Sequence, residues 1–253
     1  MRTLIEKPIL FSEKMVLALL NGQKRQTRRI VQPQPVQEGG FWHLGGAAWS
    51  DGIETLTPFP SHSLYNKAKY HPGDTLWVQE TWQVHDLNDG ACCMMIKYKA
   101  DGATALQVEF SPSRYEKFRK YYGKNGWQSP YFFPKEATRI FLRVDSTRIE
   151  RLHHSFFEPI SPIFTVRDEG IDIGDTCRDC IENYGSPCCV DTVDEDGTDL
   201  YGGECGMLDE ARSEFADLWD GLNSRRGYDW SSNPWTWAYG FERVYPETKV
   251  VMA

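Results

Sequence analysis

No run of apolar residues in this sequence is long enough to cross a bilayer, and its first residues lack the charged, apolar and small-residue regions of a signal peptide. The expectation is a cytoplasmic chain with no membrane partner, where a disulfide framework is a poor reading of the seven cysteines. No internal repeat is present. Basic residues are nearly missing from residues 168–220, which hold 17 Asp and Glu against two Arg; the chain's net charge is −8, so the remainder carries +7. The acid is confined to one segment and the body is mildly basic, which keeps nucleic acid open as a partner. What is present is ordinary for a globular protein: 40% apolar and 25% charged residues over 253 positions, enough to bury a core without staples.

The most informative stretch is Ser12 to Arg29. Ser12 is a good N-cap; Val16, Leu17, Leu19 and Leu20 supply an apolar helical face; Gly22 sits where a helix end favours a left-handed residue. QTRRIVQ then reads as a strand, in which Thr27 and Arg29 share a face because side chains alternate with period two. Lys24 lies in the turn before them. Read alone, the segment is also a solvated basic run.

Elsewhere KPILF reads as a first strand, Val36 to Lys69 as a long loop or insertion rich in Gly, Pro, Ser and Trp, and Asp74 to Val84 and Met94 to Ala100 as strands. Residues 113–122 read as a short basic helix. In Arg139 to Leu152, Ile140, Leu142 and Val144 alternate with Arg139, Phe141 and Arg143, as in a half-buried strand. Helices are expected over Phe164 to Glu169 and Leu208 to Leu222, and a last strand over Trp235 to Val244. Strands on long connections with helices at the ends give an α+β fold and suggest a closed or nearly closed barrel.

The pattern G-x-K-x-x-T-x-R at Gly22, Lys24, Thr27 and Arg29 resembles the signature of the ASCH domain, a family of PUA-like β-barrels. Pro72, Gly73 and Asp74 followed by TLWVQETW resemble the family's P-G-D turn and barrel strand. Phe215 to Val244 is similar to the tryptophan-rich C-terminal segment of larger phage and prophage members. The resemblance covers about two thirds of the chain as a single domain with long insertions at 36–69 and 172–206. Small bacterial members are amidohydrolases that remove the acyl group from N4-acylated cytidine with a lysine, a threonine and a glutamate, and need no cofactor for catalysis. Lys24 and Thr27 match the first two; RDEGI puts Glu169 at the third, with Asp168 one slip of register away. Other members are described as RNA-binding or RNA-cleaving, which leaves an RNA or modified-nucleotide binding module and a ribonuclease as alternatives.

The resemblance implies Lys24, Thr27 and Glu169 as catalytic residues acting on a nucleobase or nucleoside amide. Thr27 is the natural nucleophile. Lys24 serves either as its base when neutral or, when charged, as an oxyanion partner with Glu169 activating a water. Arg28 and Arg29 depress the lysine's pKa or hold the substrate carbonyl. Arg28, Arg29, Glu80 and Trp82 are the expected substrate-binding residues, and Glu80 is expected either to pair with Arg29 or to be exposed. Trp82, with Trp77, Trp230, Trp235 and Trp237, is expected to be core unless it stacks a base.

Five cysteines fall in the acidic segment: Cys177-x-x-Cys180, Cys188, Cys189 and Cys205. A C-x-x-C pair with further thiolates is a candidate structural zinc site, although the second C-x-x-C of a zinc ribbon is missing. Cys92 and Cys93 read as strand or core residues. His153 and His154 diverge as neighbours and make a poor metal pair.

Overall fold

A computed structural model describes residues 5–124, 126–154, 166–171 and 206–245. In chain order the elements are β1 (Glu6–Leu10), α1 (Glu13–Leu20), β2 (Gln26–Ile30), β3 (Val36–Glu38), β4 (Phe41–Leu44), β5 (Ala47–Ser50), β6 (Thr55–Leu56), β7 (Thr75–Gln79), β8 (Trp82–Asn88), β9 (Cys93–Tyr98), β10 (Thr104–Glu109), α2 (Pro112–Arg119), β11 (Phe141–Arg151), α3 (Gly206–Asn223) and β12 (Trp235–Val244). The fold is α+β, with sheet predominant. Among the described residues the strand pairings do not close into a ring, and no helix is long and apolar enough to cross a membrane. The described residues divide into two compact units: those within 5–22, 72–145 and 241–245, and those within 23–71 and 146–240.

In the first unit, α1 begins where the Ser12 hydroxyl accepts the Met15 N–H at 3.5 Å, and it buries Val16, Ala18 and Leu19. It ends at Asn21, with Gly22 left-handed at φ +74° as expected. β1 runs parallel to β7, Ile9 opposite Val78, and β7 runs antiparallel to the start of β11, Leu142 opposite Leu76. Ile140, Leu142 and Val144 are buried. The stretch Asp74 to Val84, expected as one strand, is two, separated at Glu80 and Thr81. β8, β9 and β10 form a second antiparallel sheet. β10 was not expected, because a register shift between Ala105 and Val108, with Gln107 at φ +57°, interrupts its alternation. Trp82, Met94, Ile96, Tyr98, Phe118 and Phe133 form the core beside this sheet.

In the second unit β2 pairs antiparallel with β12, Thr27 opposite Tyr239 and Arg29 opposite Trp237. Residues 36–69, expected as a loop, hold the three-stranded meander β3–β4–β5. Two Gly-Gly pairs make this possible. Gly39–Gly40 and Gly45–Gly46 all have positive φ, the requirement of tight two-residue hairpin turns. Trp42 and Trp49 face each other across β4 and β5, and each meets the ring of buried Trp235 edge-on, at 5.4 and 5.2 Å. β6 pairs with Ile149 and Glu150 of β11. The helix expected over Phe164 to Glu169 is described from Val166 onward.

Cys177, Cys180, Cys188, Cys189 and Cys205 lie outside the described residues. Cys93 is buried on β9, and Cys92 precedes it in a left-handed conformation.

Candidate functional site

Glu169 is held by the end of a helical turn. The Ile171 N–H donates to Val166 O at 3.2 Å and the Gly170 N–H donates to Arg167 O at 2.8 Å, with Gly170 at φ +87°. This is the double bond pattern of a Schellman end, and the two residues it joins, Val166 and Ile171, are both buried. The Asp168 carbonyl accepts the Arg25 N–H at 2.8 Å, tying the turn to the segment that carries Lys24.

Lys24 and Glu169 meet in the interior of the second unit. Nζ donates to Glu169 Oε2 at 3.0 Å and to the Glu169 carbonyl at 2.6 Å, and the two residues are 3% and 4% exposed. Of the two adjacent acids, Glu169 takes the lysine; the Asp168 carboxylate lies 3.7 Å from Arg167. The other Glu169 oxygen accepts Arg28 Nη1 at 2.8 Å and Gln26 Nε2 at 3.5 Å. Arg28 Nε donates to Glu150 at 2.8 Å, Arg148 donates to both Glu150 and Gln26, and the Arg28 guanidinium lies 6.0 Å from the centre of the Phe215 ring. Buried charge is tolerated here because each carboxylate accepts several donors.

Burial pushes the Glu169 carboxyl up, but the charges of Lys24 and Arg28 and the bonds from Lys24 and Gln26 outweigh it, so its pKa falls below the usual value. Burial pushes Lys24 down, and Arg29 and Arg28 add to this; Glu169 opposes without cancelling it. The site therefore pairs a firmly ionised carboxylate with a lysine that loses its proton more readily than a free one.

Alternation along β2 assigns the remaining residues. Gln26 and Arg28 point to Glu169, so Thr27 and Arg29 face the opposite side. That side carries a cavity of about 250 Å³ lined by Arg29, Lys67, Lys69, Tyr70, Trp237 and Tyr239. Tyr70 and Tyr239 pack edge-on at 5.0 Å, and the Tyr239 hydroxyl accepts the Lys69 N–H at 3.2 Å. Thr27 is almost fully buried opposite Tyr239. The two faces are electrically coupled: burial lowers the Arg29 pKa while Tyr70, Glu169 and Tyr239 pull it up. Cationic rims and aromatic walls suit a planar ligand bearing carbonyl or phosphate oxygens.

Glu80 and Trp82 belong elsewhere. Both lie in the first unit, and Glu80 pairs with Arg139 through bonds of 2.9 and 2.7 Å, where Arg29 or solvent had been expected. Arg139 also holds Asp101 at 2.6 Å and stacks 3.9 Å over Tyr98. Trp82 is fully buried against Phe118, Tyr121 and Phe133, with its indole N–H donating to Ser129 O at 3.3 Å, so it is core and presents no face to a base.

Sequence reasoning missed Gln26, Arg148 and Glu150. A signal existed for the last two: an arginine and a glutamate two apart on one strand share a face and can pair. His153 bonds the Trp230 carbonyl at 2.8 Å and stacks on that ring, a structural role. Among the described residues no cluster of three or more His, Cys, Asp or Glu is placed to hold a metal ion. Compared with protein-family models, with curated proteins and with solved structures, the chain matches none.

Proposed function

We propose that this chain is an amidohydrolase of N4-acylated cytosine or cytidine-type nucleobase amides, built on an ASCH-type PUA-like framework. The observation that carries this reading is the buried contact between Lys24 and Glu169, residues 145 apart in sequence with Nζ and Oε2 separated by 3.0 Å. Those are the lysine and the glutamate that the resemblance pairs, and Thr27 follows Lys24 by three residues.

The protonation directions favour one of the two mechanisms. A carboxylate that accepts bonds from Lys24, Arg28 and Gln26 is a weak base for water, whereas a lysine with a depressed pKa is a serviceable one. Lys24 Nζ donates to Glu169 while Thr27 lies on the other face of β2, so the step requires neutral Lys24 to turn from Glu169 to the Thr27 hydroxyl and take its proton, and the oxygen then attacks the acyl carbon. Arg29, at the cavity wall, stabilises the oxyanion. The C–N bond then breaks, and the proton passes from Lys24 to the departing exocyclic nitrogen. Water hydrolyses the acyl-threonine, releasing the carboxylic acid. Glu169 keeps Lys24 oriented and balances the charge of Arg28.

The second reading, a binding module without chemistry, would rest on Arg29, Lys67 and Lys69 at the cavity, since the Lys24 side chain has no exposed surface to offer a phosphate. The test is ultraviolet-monitored hydrolysis of N4-acetylcytidine by the wild type, Lys24→Ala and Thr27→Ala. Turnover that falls by about 10²-fold or more in both variants supports the reading; a folded wild type without turnover overturns it.

A further inference from the structure

The first unit carries a second ligand-sized feature, independent of the Lys24 site. A groove of about 940 Å³ runs between α2 and the Pro130–Phe132 turn. One wall is a face of α2 carrying Arg114, Lys117 and Phe118 at i, i+3 and i+4, continued by Tyr121 in the turn just beyond the helix end. The opposite wall carries Tyr131 and Phe132, which are 71% and 51% exposed and meet at right angles 5.3 Å apart.

Two facts need an explanation. Adjacent aromatic rings are exposed on a turn made rigid by Pro130 and Pro134, where burial was open to a more flexible segment. The facing wall is also cationic beyond what its own acid neutralises. Glu136 is occupied by Arg114 through two bonds of 2.7 Å, and Lys135 pairs with Glu6. Lys117 and Lys120 remain exposed with no carboxylate partner among the described residues, and Lys120 and Lys124 flank the Tyr121 ring at 5.2 and 5.1 Å. The segment 112–124 holds five Lys and Arg against one Glu, in a chain whose net charge is −8.

We infer that this groove binds a single-stranded polynucleotide, with bases stacked on Tyr131 and Phe132 and the phosphodiester backbone along Lys117 and Lys120. Exposed rings opposite a line of cations match a polymer that alternates planar bases with single negative charges. An acidic peptide would satisfy the lysines and leave the rings without a regular partner.

The test uses the full chain with labelled oligouridine and oligodeoxyuridine of equal length, followed by fluorescence anisotropy at several salt concentrations. The wild type should bind, and the tighter of the two oligomers identifies the polymer as RNA or DNA. The double variant Tyr131→Ala, Phe132→Ala should bind about tenfold or more weakly. Lys117→Ala with Lys120→Ala should reduce the salt slope by about 0.7 per lysine. All four side chains are exposed, so circular dichroism should show folded variants, and hydrolysis of N4-acetylcytidine should be unchanged in them. Failure of a folded wild type to bind either oligomer overturns the inference. So does undiminished binding by the aromatic variant, or displacement by polyglutamate as effective as by oligonucleotide at equal charge, which would assign the groove to an acidic peptide.

Discussion

Lys24 Nζ lies 3.0 Å from Glu169 Oε2 in a contact that spans 145 residues of sequence and is sealed from solvent on both sides. Removing the Glu169 carboxylate would strip Lys24 of its carboxylate and Arg28 of one of its two, whereas Glu169 without Lys24 would still hold Arg28, which Glu150 shares.

Glu169→Gln should therefore lower stability as well as activity. Removing one partner from a buried ion network costs about 3–5 kcal/mol, to be read from urea unfolding. Asp168→Asn, at a side chain one third exposed and 3.7 Å from its arginine, should cost under about 1 kcal/mol.

The pH dependence of unfolding has a definite sign at both residues. Glu169 is depressed in the folded protein, so its contribution is full above the unfolded value near 4.3 and is lost as pH falls through the lower folded pKa. Lys24 is also depressed. Between its folded pKa and about 10.4 the unfolded chain holds more protons, so this residue makes stability rise with pH. Denaturant midpoints of the wild type and Lys24→Met across acid and alkaline pH check both slopes.

Activity should follow the same residue. If neutral Lys24 is the base, kcat/KM for N4-acetylcytidine rises with pH through a pKa below the ordinary lysine value, and Lys24→Arg, which stays charged, is inactive at every pH. A profile that falls with pH over this range would instead assign the charged lysine to the oxyanion.

Gly170→Ala should act on Glu169 from outside it. A left-handed φ of +87° at a residue with a Cβ costs roughly 1–2 kcal/mol, and relief of that strain moves the helix end that sets the carboxylate. Thermal unfolding should drop modestly while turnover drops more.

In the first unit, Arg139→Ala should leave Glu80 buried without its two hydrogen bonds and destabilise by about 3–5 kcal/mol near neutral pH. Burial already pushes the Glu80 carboxyl up against the pull of Arg139. Without that arginine the residue escapes by protonation, so the destabilisation should shrink as pH falls. Unfolding at neutral and acid pH separates this from a loss of packing alone.

Local signals were legible in the sequence where they acted over a few residues. Ser12 and Gly22 bound α1, and the alternation of Ile140, Leu142 and Val144 marks β11. The meander at 36–50 was not legible, because strands of three or four residues are too short to establish a period; the Gly-Gly pairs that turn them were the usable sign. Lys24 and Glu169 were chosen by resemblance, and which of Asp168 and Glu169 faces the lysine depends on a helix-end geometry that spacing does not reveal. Non-local pairings were the least accessible. Glu80 finds Arg139, 59 residues away, and Glu150 finds Arg28 across 122, distances over which composition carries no partner information.

β2 gives its two faces different duties, with Gln26 and Arg28 anchoring Glu169, and Thr27 and Arg29 on the other face, where Arg29 lines the aromatic cavity. Parity thus separates scaffold from reagent. Inserting a single residue between Lys24 and Gln26 would exchange the two sets wholesale, sending the guanidinium that neutralises the acid into the cavity and burying the hydroxyl against a carboxylate. Tolerance to length change in this short turn should accordingly come in steps of two.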